Sequence, residues 1–144
     1  EKYLKITDRK KDIIVNAGGD NISPSRIEER LNIEPEIAQS MLYGDFKNYL
    51  VAIIVPDKEQ AISWAKLNNK TDSFKSIVKD EEFIRVIKEI TTKINAKLST
   101  IEQIRKFILV DEEFTIENDM MTPTMKVKRY KVKQSYGDRL ELLY

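Results

Sequence analysis

Apolar residues recur at helical spacing most clearly between residues 80 and 98. There they fall three or four positions apart on one stripe, formed by Phe83, Ile84, Ile87, Ile90, Ile94 and Leu98. This stripe predicts an amphipathic helix that packs on a sheet. Three further helices are predicted: residues 24–32 with Ser23 as the cap, residues 57–67 with Asp57 as the cap, and about residues 131–143.

Three apolar runs predict the strands of one sheet. Residues 37–43 and 49–55 flank a five-residue loop that begins at Gly44, so they are expected to pair as a hairpin. The second run is apolar on both faces, which is typical of a central strand. Residues 104–110 predict another strand, and short β-prone segments at residues 4–6 and 12–15 predict an N-terminal hairpin. We therefore expect an α+β domain whose small sheet is covered by helices.

Composition excludes several kinds of active site. The chain has 144 residues, of which 41% are hydrophobic, enough for one domain with its own core. It contains neither Cys nor His, which excludes disulfides, zinc fingers, thiol catalysis, Ser-His-Asp triads and imidazole acid–base catalysis. Because cysteine-free chains suit a reducing compartment, we expect a cytoplasmic protein.

The charge of the chain is almost balanced, with 25 basic and 24 acidic residues. Binding to a polyanion through bulk charge alone is therefore not expected. Basic residues nevertheless crowd into residues 126–133 as Lys126, Lys128, Arg129, Lys131 and Lys133. Such a cluster either meets phosphates or faces the acidic run at residues 111–119, and on charge alone the second interpretation is the simpler one.

Three segments are candidates for chemistry, and none is decisive by itself. The charged run DRKKD at residues 8–12 is typical of a solvent-exposed connector. Gly18 and Gly19 precede a helix N-terminus, which favours anions, but neither a GxGxxG nor a Walker spacing is present. The third segment is PTMKVKR at residues 123–129, within the basic cluster.

In this order, the segments resemble the C-terminal domain of the AMP-forming acyl-CoA synthetases, a superfamily that includes luciferases and peptide-synthetase adenylation domains. DRKKDIIVNAGGDNISP at residues 8–24 is similar to that superfamily's hinge and glycine-loop motif, and PTMKVKR to its terminal lysine motif. Gly44-Asp45, residues 50–57, Tyr136 and residues 140–144 resemble the long-chain fatty acid branch. The resemblance covers essentially the whole chain.

This resemblance implies a ligase that activates a carboxylate in two steps. ATP and a fatty acid form an acyl-adenylate with release of pyrophosphate, and the thiol of coenzyme A then displaces AMP. A large N-terminal domain would hold the acyl pocket, most of the nucleotide site and the nucleotide's Mg²⁺. Residues 1–12 would be the hinge segment and the start of the domain, and residues 13–144 a mobile lid, inactive without its N-terminal domain.

Five residues receive roles from the same resemblance. Lys126 would be the catalytic lysine, whose ammonium bridges the carboxylate and the α-phosphate region during adenylation. Arg9 would contact the ribose or phosphate of the nucleotide, and Lys11 would be the hinge residue. Gly18 and Gly19 would line the tunnel for the pantetheine arm of coenzyme A. No residue of this chain is expected to bind a metal.

Two positions depart from the most frequent form of the motifs. Met125 stands where many acyl-CoA synthetases have glycine before the lysine, and Asp8 stands where the hinge motif often has glycine. Both departures suit the long-chain branch.

Other functions remain open at this point. One is an adenylating enzyme of the same superfamily that passes its acyl group to a carrier protein. Another is a stand-alone module that binds nucleic acid or another polyanion through residues 126–133, with a steep salt dependence. The balanced charge argues against nucleic acid as a partner. Peripheral membrane association of the full-length enzyme also stays open, with residues 131–143 as the nearest candidate surface helix.

Overall fold

The computed structural model describes residues 13–144. In chain order the elements are β1 (Ile14–Val15), β2 (Asn21–Ile22), α1 (Pro24–Asn32), β3 (Ile37–Tyr43), β4 (Leu50–Pro56), α2 (Lys58–Leu67), α3 (Phe74–Ile77), α4 (Glu81–Asn95), a 3-10 turn (Thr100–Glu102), β5 (Ile104–Leu109) and α5 (Arg129–Glu141). No helix within this part of the chain has the length and apolar character needed to traverse a lipid bilayer.

The main sheet has three strands in the order β3-β4-β5. β3 and β4 form an antiparallel hairpin in which Met41 lies opposite Ile53. β5 returns parallel to β4, with Ile108 opposite Ile53, after a crossover that contains α2, α3 and α4. The expected central position of the second strand is therefore confirmed, as is the α+β class.

β4 is buried on both faces because a separate layer covers each face of the sheet. Its even-numbered residues from Leu50 to Ile54 belong to a core shared with α1, α2 and α4. Its odd-numbered residues from Val51 to Val55 belong to a second core, shared with α5 and residues 110–121. This two-sided burial explains why the strand has no polar face.

Helix α4 forms as its pattern predicts. The Asp80 side chain accepts hydrogen bonds from the backbone N–H groups of Glu82 (2.9 Å) and Phe83 (3.1 Å), which caps the helix. Phe83, Ile87 and Ile94 are buried in the first core. The apolar stripe therefore packs on the sheet.

The N-terminal hairpin differs from its prediction. The strand expected at residues 12–15 is Ile14–Val15, and it pairs antiparallel with Asn21–Ile22, which the pattern did not predict as a strand. These two short strands form their own sheet. The other predicted partner, residues 4–6, lies outside the described residues.

Two features of the helices also differ. Ser23 is the N-cap residue of α1 as expected, but the predicted capping hydroxyl is wrong, because the Ser23 side chain makes no hydrogen bond to the helix. The predicted proline at the first helical position is confirmed, and its preset φ favours the start of α1. Helix α5 begins at Arg129, two residues before the predicted start, and the short helix α3 was not predicted.

We expect truncation of the core stripe to be costly only where the side chain is buried. Ile87 is fully buried beneath α4, so Ile87→Ala should lower the free energy of unfolding by about 2–5 kcal/mol. Leu67 is 85% exposed, so Leu67→Ala should change it by less than about 0.5 kcal/mol. Urea unfolding followed by circular dichroism measures both, and equal losses would contradict the assigned core.

Candidate functional site

Residues 122–127, here called the lysine loop, form a tight turn that presents Lys126. Met121 and Val127 make an antiparallel bridge at its base. Within the turn, the Thr122 N–H donates to the Lys126 carbonyl (2.8 Å), and the Lys126 N–H donates to the Thr122 hydroxyl (3.1 Å). The backbone on both sides of Lys126 is therefore fixed by one threonine.

Met125 adopts a backbone conformation that favours glycine. Its φ is +66°, in the left-handed region, and its N–H donates to the Thr122 carbonyl at 2.9 Å. Its side chain is 66% exposed. The turn thus gives a physical reason for the glycine that many acyl-CoA synthetases carry at this position.

Asp119 neutralises two of the five basic residues that follow it. Its carboxylate lies 2.5 Å from the Lys128 ammonium and 3.2 Å from the Lys131 ammonium. Hydrogen bonds from Lys128 and Lys131 hold the pKa of Asp119 below its usual range, and the bond to Asp119 raises the pKa of Lys128. The basic cluster therefore faces the acidic run in part, through this one residue.

Arg129 is paired with a carboxylate from a distant element. Its guanidinium makes two 2.6 Å hydrogen bonds to the carboxylate of Glu28 in α1. Glu28 is buried, with 8% exposure, and also accepts a 2.8 Å hydrogen bond from the backbone N–H of Leu42 in β3. This arrangement fixes the start of α5, and the lysine loop just before it, against α1 and the sheet.

The five basic side chains within residues 126–133 differ in their ion pairing: Lys128, Arg129, Lys131 and Lys133 each have a carboxylate partner. Lys133 pairs with Asp45 (3.3 Å), whereas the exposed Lys126 ammonium has no carboxylate within 4 Å among residues 13–144. It lies at a groove of about 310 Å³ between α1 and the lysine loop, lined by Ser25, Glu28, Glu29, Asn32, Lys126, Val127 and Arg129. An unpaired ammonium beside an open groove can bind an anion supplied from outside this domain.

Residues 14–22, here called the glycine hairpin, carry the second predicted site. Gly19 has φ +84°, which L side chains rarely adopt, and a Cβ placed there would meet nothing within 4 Å. The Asp20 N–H donates to the Asn16 side-chain oxygen (2.9 Å), which closes the turn. A Cβ at Gly18 would approach no described atom closer than 3.5 Å. Both glycines are exposed, so the outer side of the turn is open.

The predicted site residues are distributed over two places in the structure. Lys126 lies on the lysine loop beside α1, and Gly18 and Gly19 lie on the glycine hairpin; no hydrogen bond or ion pair joins these two groups within residues 13–144. Arg9 and Lys11, like the rest of the predicted hinge segment at residues 1–12, lie outside the described residues. No three ligating side chains converge to hold a metal ion in the part of the chain that the structure describes.

Comparison with known proteins gives the family. Residues 11–144 match the family described as the AMP-binding enzyme C-terminal domain. This chain belongs to that family. It is 38% identical to the long-chain-fatty-acid–CoA ligase FadD15 of Mycobacterium tuberculosis over 99% of this chain and 24% of the relative. It is 33% identical to human long-chain-fatty-acid–CoA ligase 1 over 98% of this chain and 21% of the relative.

Solved structures agree with this assignment. The A-PCP didomain of carboxylic acid reductase from Segniliparus rugosus, in complex with AMP, superposes with a TM-score of 0.72 at 27% identity. The match covers 92% of this chain and 17% of that one. The α+β fold is thus that of the C-terminal domains of adenylate-forming enzymes. The chain spans about a quarter of the length of the curated ligases it matches.

Sequence reasoning missed Glu28, which this C-terminal domain uses to hold its lysine motif. A signal was present, because Pro24, Ile27, Glu28 and Leu31 have the spacing of one helix face and all four are buried. A carboxylate on an otherwise apolar face indicates a buried partner. Its partner, Arg129, is 101 residues away in sequence, and no local pattern connects the two.

We expect loss of Arg129 to destabilise the domain strongly. Arg129→Met leaves the buried Glu28 carboxylate without its bidentate partner, and should lower the free energy of unfolding by about 3 kcal/mol. Lys131→Met removes an equal charge from an exposed pair with Asp119 and serves as the control, with a much smaller expected effect. Thermal unfolding of both variants measures the difference, and equal effects would contradict the role of Glu28.

The backbone of the lysine loop predicts a second stability ranking. Met125→Gly removes a side chain from a left-handed conformation, so it should leave stability unchanged or raise it by up to about 1 kcal/mol. Met125→Val places a β-branched residue there and should lower stability by about 1–2 kcal/mol. Unfolding midpoints test the order, and a valine variant as stable as the glycine variant would contradict the positive φ.

Proposed function

We propose that this chain is the C-terminal domain of an ATP-dependent, AMP-forming long-chain fatty acid–CoA ligase. The curated relatives that it matches along its whole length are long-chain-fatty-acid–CoA ligases, and they extend well beyond the matched domain. The acyl pocket and most of the nucleotide site would lie in that further part of the protein. This domain would supply Lys126 to the first half-reaction and the glycine hairpin to the second.

The unpaired state of Lys126 carries the first part of the proposal. Its four basic neighbours in residues 126–133 each have a carboxylate partner, whereas Lys126 has none among residues 13–144. Negative charge accumulates where the fatty acid carboxylate attacks the α-phosphate of ATP. An ammonium on a flexible stem can bridge these two groups as a point charge. The hydrogen bond from the Lys126 N–H to Thr122 fixes the backbone from which the Lys126 side chain extends, and so limits the region that its ammonium can reach.

The open side of the glycine hairpin supports the second part. A Cβ at residue 19 would have no atom within 4 Å, and one at residue 18 would only touch the side chains of Asn16 (3.5 Å) and Asp20 (3.6 Å). In the full-length protein, the pantetheine arm of coenzyme A would pass there and bring its thiol to the acyl-adenylate. The thiolate attacks the acyl carbonyl carbon, the bond to the AMP phosphate oxygen breaks, and AMP leaves.

The remaining assignments stay predictions. Residues 1–12 would form the hinge, with Lys11 absorbing the rotation between two poses of the domain and Arg9 contacting the nucleotide. Residues 13–144 would form the lid. The Mg²⁺ of the nucleotide would be held by the N-terminal part of the protein. The cytoplasmic location and peripheral association of the full-length enzyme with a membrane surface also stay predictions.

A carrier protein is the alternative acyl acceptor. It is favoured by the similarity to the A-PCP didomain of a carboxylic acid reductase at 27% identity. Coenzyme A is favoured by higher identities, 38% and 33%, to CoA ligases. The alternative of a stand-alone polyanion-binding module is weakened, because four of the five clustered cations already have carboxylate partners.

The decisive variant is Lys126→Ala in the full-length protein. Fatty-acid-dependent pyrophosphate exchange reports adenylation, and thioester formation from preformed acyl-adenylate reports the second step. We expect adenylation to fall roughly a hundred- to a thousandfold, as when an oxyanion donor is removed, and thioester formation to change by less than about threefold.

Lys131→Ala is the matched control, because it removes an ammonium from the same cluster but from a paired position. It should leave both steps close to wild type. Wild-type adenylation by Lys126→Ala would refute the assigned role, and equal loss of both steps would indicate a docking or folding defect instead. Offering coenzyme A and a phosphopantetheinylated carrier protein to the wild-type enzyme separates the two acceptors.

A further inference from the structure

The glycine hairpin is anchored in the first core by Ile14 and Ile22, and its backbone is bonded to residues 44–49, here called the β3–β4 loop. The Phe46 N–H donates to the Val15 carbonyl (2.7 Å), and the Ala17 N–H donates to the Lys47 carbonyl (2.9 Å). The Asp45 carboxylate accepts a third hydrogen bond from the Val15 N–H (3.3 Å). The hairpin has only two residues in each strand, so these three bonds add to the burial of Ile14 and Ile22 in fixing it.

The β3–β4 loop is also attached to α5. The attachment uses the side chains of Asp45 and Lys47, which also hold the hairpin. Asp45 forms an ion pair with Lys133 near the middle of α5 (3.3 Å). Lys47 forms an ion pair with Glu141 at the end of α5 (2.7 Å), and its ammonium lies 4.9 Å from the ring centroid of Tyr144. Lys47 therefore contacts the hairpin with its backbone and α5 with its side chain.

Tyrosines hold the partners of Lys47 in place. The Tyr144 ring stacks on Tyr49 with centroids 4.8 Å apart, and its hydroxyl donates to the carbonyls of Tyr43 (3.3 Å) and Tyr49 (3.0 Å). The Tyr43 hydroxyl donates to the Glu141 carboxylate. Hydrogen bonds from Lys47 and Tyr43 hold the pKa of Glu141 below its usual range, so this carboxylate is ionised at neutral pH.

The β3–β4 loop is closely packed at its start. Gly44 at its start is buried, and a Cβ there would lie 2.7 Å from the Leu50 side chain and 3.3 Å from the Tyr49 carbonyl. Phe46 has φ +61°, an unusual conformation for a bulky residue. Within these six residues, Asp45 and Lys47 each contact both the hairpin and α5, so the two are joined over a short distance.

We propose that Lys47, with Asp45, is a positioning residue that fixes the glycine hairpin relative to α5. The lysine loop leads directly into α5, so this helix sets the place of both candidate segments. The consequence for catalysis rests on the proposed function: the thioester-forming step depends on the side chain of Lys47, although Lys47 itself touches no substrate. Adenylation, which uses Lys126, does not depend on it.

The test uses Lys47→Met in the full-length protein, a change that keeps an unbranched side chain only one atom shorter and all backbone bonds but removes the ammonium. Hydrogen exchange measured by mass spectrometry on the peptide covering residues 13–22 should become roughly two- to fivefold faster. Thioester formation from preformed acyl-adenylate should fall by a similar factor, while pyrophosphate exchange stays unchanged. Lys47→Arg, which can still reach Glu141 and lie over the Tyr144 ring, should restore both readouts.

Lys70→Met is the matched control, because Lys70 is as exposed as Lys47 and pairs with Asp80 and Glu82 at the start of α4, away from the hairpin. It should change neither the exchange of residues 13–22 nor the thioester step. Unchanged exchange in Lys47→Met overturns the proposal, and so does equal loss of both half-reactions. If the wild-type protein forms no acyl-adenylate, the proposed function fails, while the exchange result still decides whether Lys47 positions the hairpin.

Discussion

The buried carboxylate of Glu28 binds the Arg129 guanidinium through two 2.6 Å hydrogen bonds and the backbone of Leu42 through a third. It therefore joins α1, the central hairpin of the sheet and the first turn of α5. A carboxylate with 8% exposure is tolerable only when its oxygens are satisfied in this way, so the three elements constrain one another. The lysine loop lies between the second core and this pair, and its position follows from both.

Helix α5 is the common frame for the two candidate segments. Its first turn is fixed by Glu28 and leads back into the lysine loop, while Lys133 and Glu141 farther along hold the β3–β4 loop that supports the glycine hairpin. In the proposed ligase, α5 would thus position the lysine loop for the first half-reaction and the glycine hairpin for the second. A domain that presents different faces in turn needs such internal rigidity, because its rotation moves every attached group together.

The helices and strands were largely predictable because their causes are local. The stripe on α4, the Asp80 and Asp57 caps and the two-sided apolar pattern of β4 each follow from residues within one element. Two details of these elements differed from their predictions. The Ser23 side chain makes no capping bond, and β2 consists of two residues that pair only because the turn at Gly19 brings them back onto β1.

The order of residues along DRKKDIIVNAGG and PTMKVKR is sufficient to identify the two motifs. The sequence alone therefore determined the family. It did not determine which cation of residues 126–133 is free. That depends on carboxylates at Glu28, Asp45 and Asp119, two of which come from the first third of the chain. Charges separated by 88 or 101 residues become neighbours only after the sheet and its two covering layers have formed. The unpaired state of Lys126 is therefore a property of the tertiary structure.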